Sequence, residues 1–235
     1  MNNSIFEYFA ELAKSDLTYT QKSGRYQIQK NQEKKIPDDI ILKMNLSKKD
    51  SLLEIGCGLG NLIIPLAKKT KNVTGIDHHI IIEKLEERFN SKKIKLISGN
   101  FLNTKIKKKF NKILIYGVIH CLKNKKQLKK FILKAISILE SDGTILIGDI
   151  PNIDKKKRFT NTNKGKIFEK KWKKIRKHEL SLQIKEFDNL IIINDRLIID
   201  LVKDLRQRGL NVFVLPQNKN LPFSHTREDI LIKND

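Results

Sequence analysis

The run Leu52-Leu53-Glu54-Ile55-Gly56-Cys57-Gly58-Leu59-Gly60-Asn61 carries an apolar segment straight into three glycines set at every second position. Glycines at a strand-to-helix turn let a backbone come close to a ligand. Glu54 places a carboxylate directly before that turn. The next apolar segment ends in Gly75-Ile76-Asp77, about 20 residues on, where a carboxylate can accept both hydroxyls of a ribose. Asp77 equally suits a helix N-cap, and the two roles can coexist. A dinucleotide fingerprint, Gly-x-Gly-x-x-Gly, would need its third glycine where Asn61 stands, so the turn departs from that pattern. The five histidines and their neighbouring carboxylates show no metal-ligand spacing such as His-Glu-x-x-His. Cys57 and Cys121 are isolated from one another, which points to two reduced thiols rather than a disulfide framework or a zinc site.

These groups need a scaffold, and the sequence supplies one of alternating elements. Strands are predicted at Asp50 to Ile55, Val73 to Ile76, Ile94 to Ile97, Lys112 to Val118 and Gly143 to Asp149, the last opened by the turn Ser141-Asp142-Gly143. Helices are predicted at Asn61 to Lys69 and at about His79 to Phe89. The clearest helix is Lys126 to Leu139, where Leu128, Phe131, Ile132, Ala135, Ile136 and Leu139 share one face. Strands separated by helices need crossover connections, hence a largely parallel sheet covered on both faces. The fold class is therefore α/β. Towards the end come an amphipathic helix near Ile198 to Arg208, stopped by Gly209, then strands at Asn211 to Leu215 and Asp229 to Lys233. This last pair reads as an antiparallel hairpin. Four regions follow: an N-terminal helical lid at 1–48, a core at 49–150, a basic insertion at 151–190, and a closing helix and hairpin at 191–235.

A chain of 235 residues suits one main domain. No apolar run reaches the roughly 20 residues that span a bilayer, and Met1 to Ala13 carries Glu7 and Glu11 rather than a basic leader. The expected location is the cytoplasm. Against 26 acids stand 48 basic residues, a formal charge of +22, which raises the question of an anionic partner. Only eight of the 48 are Arg. Twelve Lys or Arg fall between Lys155 and Lys177, where Phe168, Trp172 and Ile175 recur at helical spacing beneath them. A second basic region runs from Phe101 to Leu139, with eleven Lys and no acid. Both could be solvated faces or phosphate-binding surfaces, and oligomeric state leaves no signal.

From Ser51 to Asp149 the chain resembles the class I S-adenosylmethionine-dependent methyltransferases, through LEIGCGLGN, GIDHH, SGNFLN and IYGVIHCL. The resemblance implies a Rossmann-like, seven-stranded, mostly parallel sheet with a C-terminal antiparallel hairpin, and S-adenosyl-L-methionine as cofactor. It implies that Glu54 and the backbone of Gly56, Cys57, Gly58 and Gly60 cradle the methionine part, and that Asp77 holds the ribose. His78 would lie beside the adenine, Asn100 would bond its amino group, and Phe101 would meet its ring face. Tyr116 would stand at the sulfonium end, and Arg25 could pair with the cofactor carboxylate.

The acceptor is less directly written. SGRYQIQ, IGDIPNIDKKKRF and VLPQNKNLPFSHTREDILI are similar to bacterial methyltransferases encoded with surface-polysaccharide and sugar-nucleotide genes. That similarity implies a small anionic or sugar-linked acceptor, methylated on a hydroxyl or an amine. A hydroxyl is a poor nucleophile without a base. His120, after the fourth strand, is the candidate, with His225 in the terminal hairpin behind it. The cluster Lys155-Lys156-Lys157-Arg158 could meet the phosphates of a nucleotide-linked or lipid-linked sugar. The alternative is RNA methylation, favoured by the basic region from Phe101 to Leu139. Against it, Tyr116-Gly117-Val118-Ile119-His120 replaces the Asn/Asp-Pro-Pro-Tyr/Phe motif that the family uses on base amino groups. A third reading is a non-catalytic binding protein, opposed by the intact Glu54, glycines and Asp77.

Overall fold

The structure, a computed structural model, describes residues 4–89, 92–178 and 190–234. Seven strands form one sheet in the order β3-β2-β1-β4-β5-β7-β6. β1 (Ser51–Ile55), β2 (Asn72–Asp77), β3 (Ile94–Ser98), β4 (Phe110–Tyr116) and β5 (Leu139–Pro151) run parallel. β6 (Asn211–Pro216) and β7 (Arg227–Lys233) close the sheet as the expected antiparallel pair, with β7 against β5. Strand order reverses between β1 and β4. A crevice therefore opens beyond their carboxyl ends, the place where ligands bind in open α/β sheets.

The strands are nearly continuous Ile and Leu because helices cover both faces. On one face Leu53, Ile55, Ile113, Ile115, Ile145 and Ile147 pack against α7 (Lys125–Ser137) and α10 (Asp195–Arg206). On the other, Leu52, Leu114 and Leu146 meet α4 (Ile36–Met44), α5 (Ile63–Leu66) and α6 (His79–Arg88). The predicted helix at Asn61 to Lys69 forms only as the short α5, because Pro65 removes a backbone donor from its middle. Leu139 belongs to β5 rather than to α7: Ile138 ends the helix, and the β4–β5 register then shifts between Phe110 and Lys112. That shift absorbs the Ser141-Asp142-Gly143 turn within one long strand.

Short helices precede the sheet: α1 (Ile5–Lys14), α2 (Tyr19–Lys22) and α3 (Lys30–Glu33). α1 lies on α6 and the glycine turn, its Ala10 and Ala13 buried with Leu59 and Ile81. The insertion forms α8 (Ile153–Thr160) and α9 (Asn163–His178); its remainder, residues 179–189, lies outside the described residues. Among the described residues no helix is long and apolar enough to cross a membrane.

Candidate active site

The glycine turn and β2 are tied together by Asp77. Its Oδ2 accepts the Gly58 N–H at 2.7 Å and its Oδ1 the His78 N–H at 2.7 Å. Burial raises the Asp77 carboxyl, and those two N–H donors pull it back. Gly56, Gly58 and Gly60 all take positive φ, at 78°, 53° and 89°. Gly58 has open space where a Cβ would project. Beside the turn, Glu54 is fully buried and its Oε2 has no hydrogen-bond partner. Burial, and then the nearby Asp77, push its carboxyl well above the usual range. A buried acid left in that condition is a place for a cationic or donor-bearing ligand group.

Around this turn several expected ligand contacts are arranged differently from the sequence expectation. His78 caps α6, its Nδ1 accepting the Ile80 N–H, while its ring meets Phe6 edge-on at 4.8 Å and its Nε2 lies 3.2 Å from Glu7 Oε2. α1 thus closes over His78. Asn100 turns its Oδ1 to the Leu102 N–H at 2.9 Å, which leaves its NH2 as the free donor, better matched to a ring nitrogen than to an amino group. Phe101 sits in the core, edge to Phe131 at 4.9 Å, and shows almost no surface to an entering ring. Cys57 is buried, its thiol pushed up by burial, so what the turn offers there is backbone.

At the ends of β4, β5 and β7 lies a buried polar cluster. Arg25 is buried; it donates to Asp149 Oδ2 at 2.9 Å and lies 3.7 Å from Glu33. The structure gives this cation to Asp149 rather than leaving it free for a cofactor carboxylate. Burial alone would raise the Asp149 carboxyl; Arg25 and Arg227 outweigh it and hold the group below its ordinary value. The Asp149 N–H donates to Asp229, which is fully buried and also accepts from Lys43 at 2.7 Å and Gln217 at 3.1 Å. Gln217 also donates to the Tyr116 hydroxyl at 3.2 Å, and burial with Asp149 and Asp229 pushes that phenol well up. His120 Nδ1, Asp149 Oδ1, Gln217 Oε1 and Arg227 Nη1 are buried without a hydrogen-bond partner. Burial first, and Arg227 second, lower His120 to about 4, so it is neutral at pH 7 and a weak base.

An aromatic cap packs beside this cluster. Trp172 of α9 meets Tyr26 at 4.9 Å and Phe223 at 5.3 Å, and His225 lies 4.0 Å from Phe159 and 4.3 Å from Phe168 between ring centroids. His225 is therefore a member of the cap, flanked by rings. Asp149, Arg227, Gln217 and Asp229 had no legible role in the sequence. Arg25 and Asp149 are 124 residues apart, and only the fold joins them.

Comparison with known proteins settles the family. Residues 21–148, more than half of the chain, match the ribosomal RNA adenine dimethylase family. The chain belongs to that family. Ribosomal RNA adenine dimethylases are S-adenosylmethionine-dependent methyltransferases, so the chain is such an enzyme and its cofactor is S-adenosyl-L-methionine. A ribosomal RNA small subunit methyltransferase A of Mesomycoplasma hyopneumoniae is 33% identical over 101 residues, 42% of this chain and 38% of that protein. A probable cobalt-precorrin-6B C(15)-methyltransferase of Methanocaldococcus jannaschii is 31% identical over 113 residues, 44% of this chain and 61% of that one. The chain thus matches less than two thirds of the length of these curated relatives. In fold it is similar to the N-methyltransferase NodS of Bradyrhizobium japonicum, solved with S-adenosyl-L-homocysteine, at a TM-score of 0.64 and 14% identity over 100% of this chain and 99% of that one. The features at the glycine turn fit the dimethylase cofactor: open space at Gly58, an unpartnered buried Glu54 suited to an ammonium group, and Asp77 at the end of β2.

Proposed function

We propose that the chain methylates RNA. The observation that carries this reading is the match over residues 21–148 to a family named for ribosomal RNA, supported by the ribosomal RNA methyltransferase among its relatives and by the charge of +22. Glu54 and the Gly56, Cys57, Gly58 and Gly60 backbone would hold the methionine part of the cofactor, and Asp77 the ribose. His78, Asn100 and Phe101 would border the adenine, the last through the core rather than by an open ring face. The cofactor supplies an electrophilic methyl group, which leaves the protein mainly to align a nucleophile and exclude water.

The chain's own residues do that work at the ends of β4, β5 and β7. Gln217 Oε1 and Arg227 Nη1 would offer an acceptor and a donor to the polar edge of the group being methylated, with Asp149 Oδ1 already 3.6 Å from Arg227 Nε. Tyr116, held by Gln217, would stand at the reacting end, and His120, whose Nδ1 has no partner, would be a weak acceptor for the released proton. Arg25 keeps Asp149 ionised and oriented. The aromatic cap keeps water out.

A small sugar-linked acceptor is the second reading. Its favouring observation is the packing of α9 and the β6–β7 loop over the polar cluster, together with Tyr116 to His120 in place of the Asn/Asp-Pro-Pro-Tyr/Phe motif that class I methyltransferases use on base amino groups. The relatives named above lend the glycan pathway no support. Labelled S-adenosylmethionine offered with separate pools of cellular RNA and nucleotide sugars tests the two. Label in RNA alone is the expected outcome; label in nucleotide sugars alone would reverse the order.

A further inference from the structure

α9 carries eight Lys or Arg and one acid, Glu169, in sixteen residues. Among the described residues none of those eight cations is paired with a carboxylate. Their placement is ordered. Phe168 and Trp172 seat the helix on Tyr26, Phe223 and His225, and Ile175 continues their stripe at helical spacing. At 3.6 residues per turn, Lys166, Lys170, Lys173 and Lys177 fall on the opposite side of the helix as one ridge. All four are exposed. The ridge is about 16 Å long at 1.5 Å per residue, with neighbours about 5 to 6 Å apart.

The fold separates this ridge from the chain's other basic run. Lys105, Lys107, Lys108 and Lys109 immediately precede Phe110, where β4 begins. They lie at the edge of the sheet away from the carboxyl ends that carry the site. α9 instead lies beside the polar cluster: Phe223, one of the rings it seats on, has the Arg227 guanidinium 5.5 Å from its centroid.

We infer that the outer ridge of α9 is a phosphate-binding track that lays an RNA strand beside the polar cluster at the ends of β4, β5 and β7. The inference rests on the RNA reading above and adds which surface holds the strand. Lys rather than Arg on the ridge fits a track that holds backbone without reading bases. Each neutralised phosphate of a single strand contributes a slope of about −0.7 to log affinity against log salt, so four contacts contribute about −2.8.

The test compares two variants of equal charge: Lys166, Lys170, Lys173 and Lys177 all changed to Gln, and Lys105, Lys107, Lys108 and Lys109 all changed to Gln. Affinity for a mixed-sequence single-stranded RNA oligonucleotide is measured across a salt series, with S-adenosylmethionine binding by calorimetry as the check on folding. The α9 variant is expected to flatten the slope by about 3 while binding cofactor as the parent does, and the second variant to change little. Equal flattening in both, or none in the α9 variant, would overturn the track while leaving the RNA reading in place if the parent still methylates RNA. A parent that binds phosphatidylserine vesicles but neither binds nor methylates RNA would overturn both.

Discussion

Glu54 is a buried carboxylate with no cation, and that condition has two measurable consequences. Its folded pKa is raised, so its stabilising contribution is complete below the unfolded value and is lost as pH rises through the folded one. Glu54→Gln should therefore raise the melting temperature of the cofactor-free protein at pH 7.5 and flatten its fall with pH, by scanning calorimetry. The same change should weaken S-adenosylmethionine binding about tenfold or more, the loss of one charge-assisted contact. A variant that gains stability and keeps full affinity would remove Glu54 from the cofactor site. His120 carries the opposite sign. Its pKa is lowered to about 4, so protonation of this residue should not depress kcat/KM between pH 7.5 and pH 6. A limb near 6.5 that vanishes in His120→Asn would show a histidine in an ordinary environment.

The elements explain why some of the site was legible and some was not. A glycine turn, a carboxylate at the end of β2 and the segment after β4 are local signals, each fixed within a few residues of one strand, and the structure builds those elements as expected. α7 and the closing hairpin were equally legible because their periodicity is long or their turns distinct. Asp149, Arg227, Gln217 and Asp229 are long-range partners contributed by β5, the β6–β7 loop and β7, and nothing in their neighbourhood announces them. Phe101 shows the converse. Its position after β3 suggested a ring for the adenine, yet a large apolar side chain beside Phe131 gains more by entering the core.

The glycine turn separates fold from function in one experiment. A Cβ at Gly60, at φ 89°, would sit 2.5 Å from Leu85 Cδ1 and 2.7 Å from Ile64 Cδ1. Gly60→Ala should cost about 2 kcal/mol or more of stability, from left-handed backbone strain and overpacking together. At Gly58 a Cβ meets nothing within 4 Å. Gly58→Ala should cost only about 1 kcal/mol of left-handed strain, while placing a methyl in the space left for the cofactor. Chemical denaturation and calorimetry should rank the two variants oppositely, with the larger affinity loss at Gly58.

Over the whole molecule, two basic faces and one buried polar cluster frame the choice of acceptor. The family match and the charge favour a polyanion, and the α9 ridge lies on the outer side of the helix whose rings pack beside the polar cluster. The most direct measurement is to incubate the protein with methyl-labelled S-adenosylmethionine and bulk cellular RNA, digest the RNA to nucleosides, and identify the labelled product. Label should appear in a methylated nucleoside, and Gly58→Ala should abolish it. RNA that stays unlabelled, while a small-molecule fraction of the same cells takes the methyl group, would contradict the account.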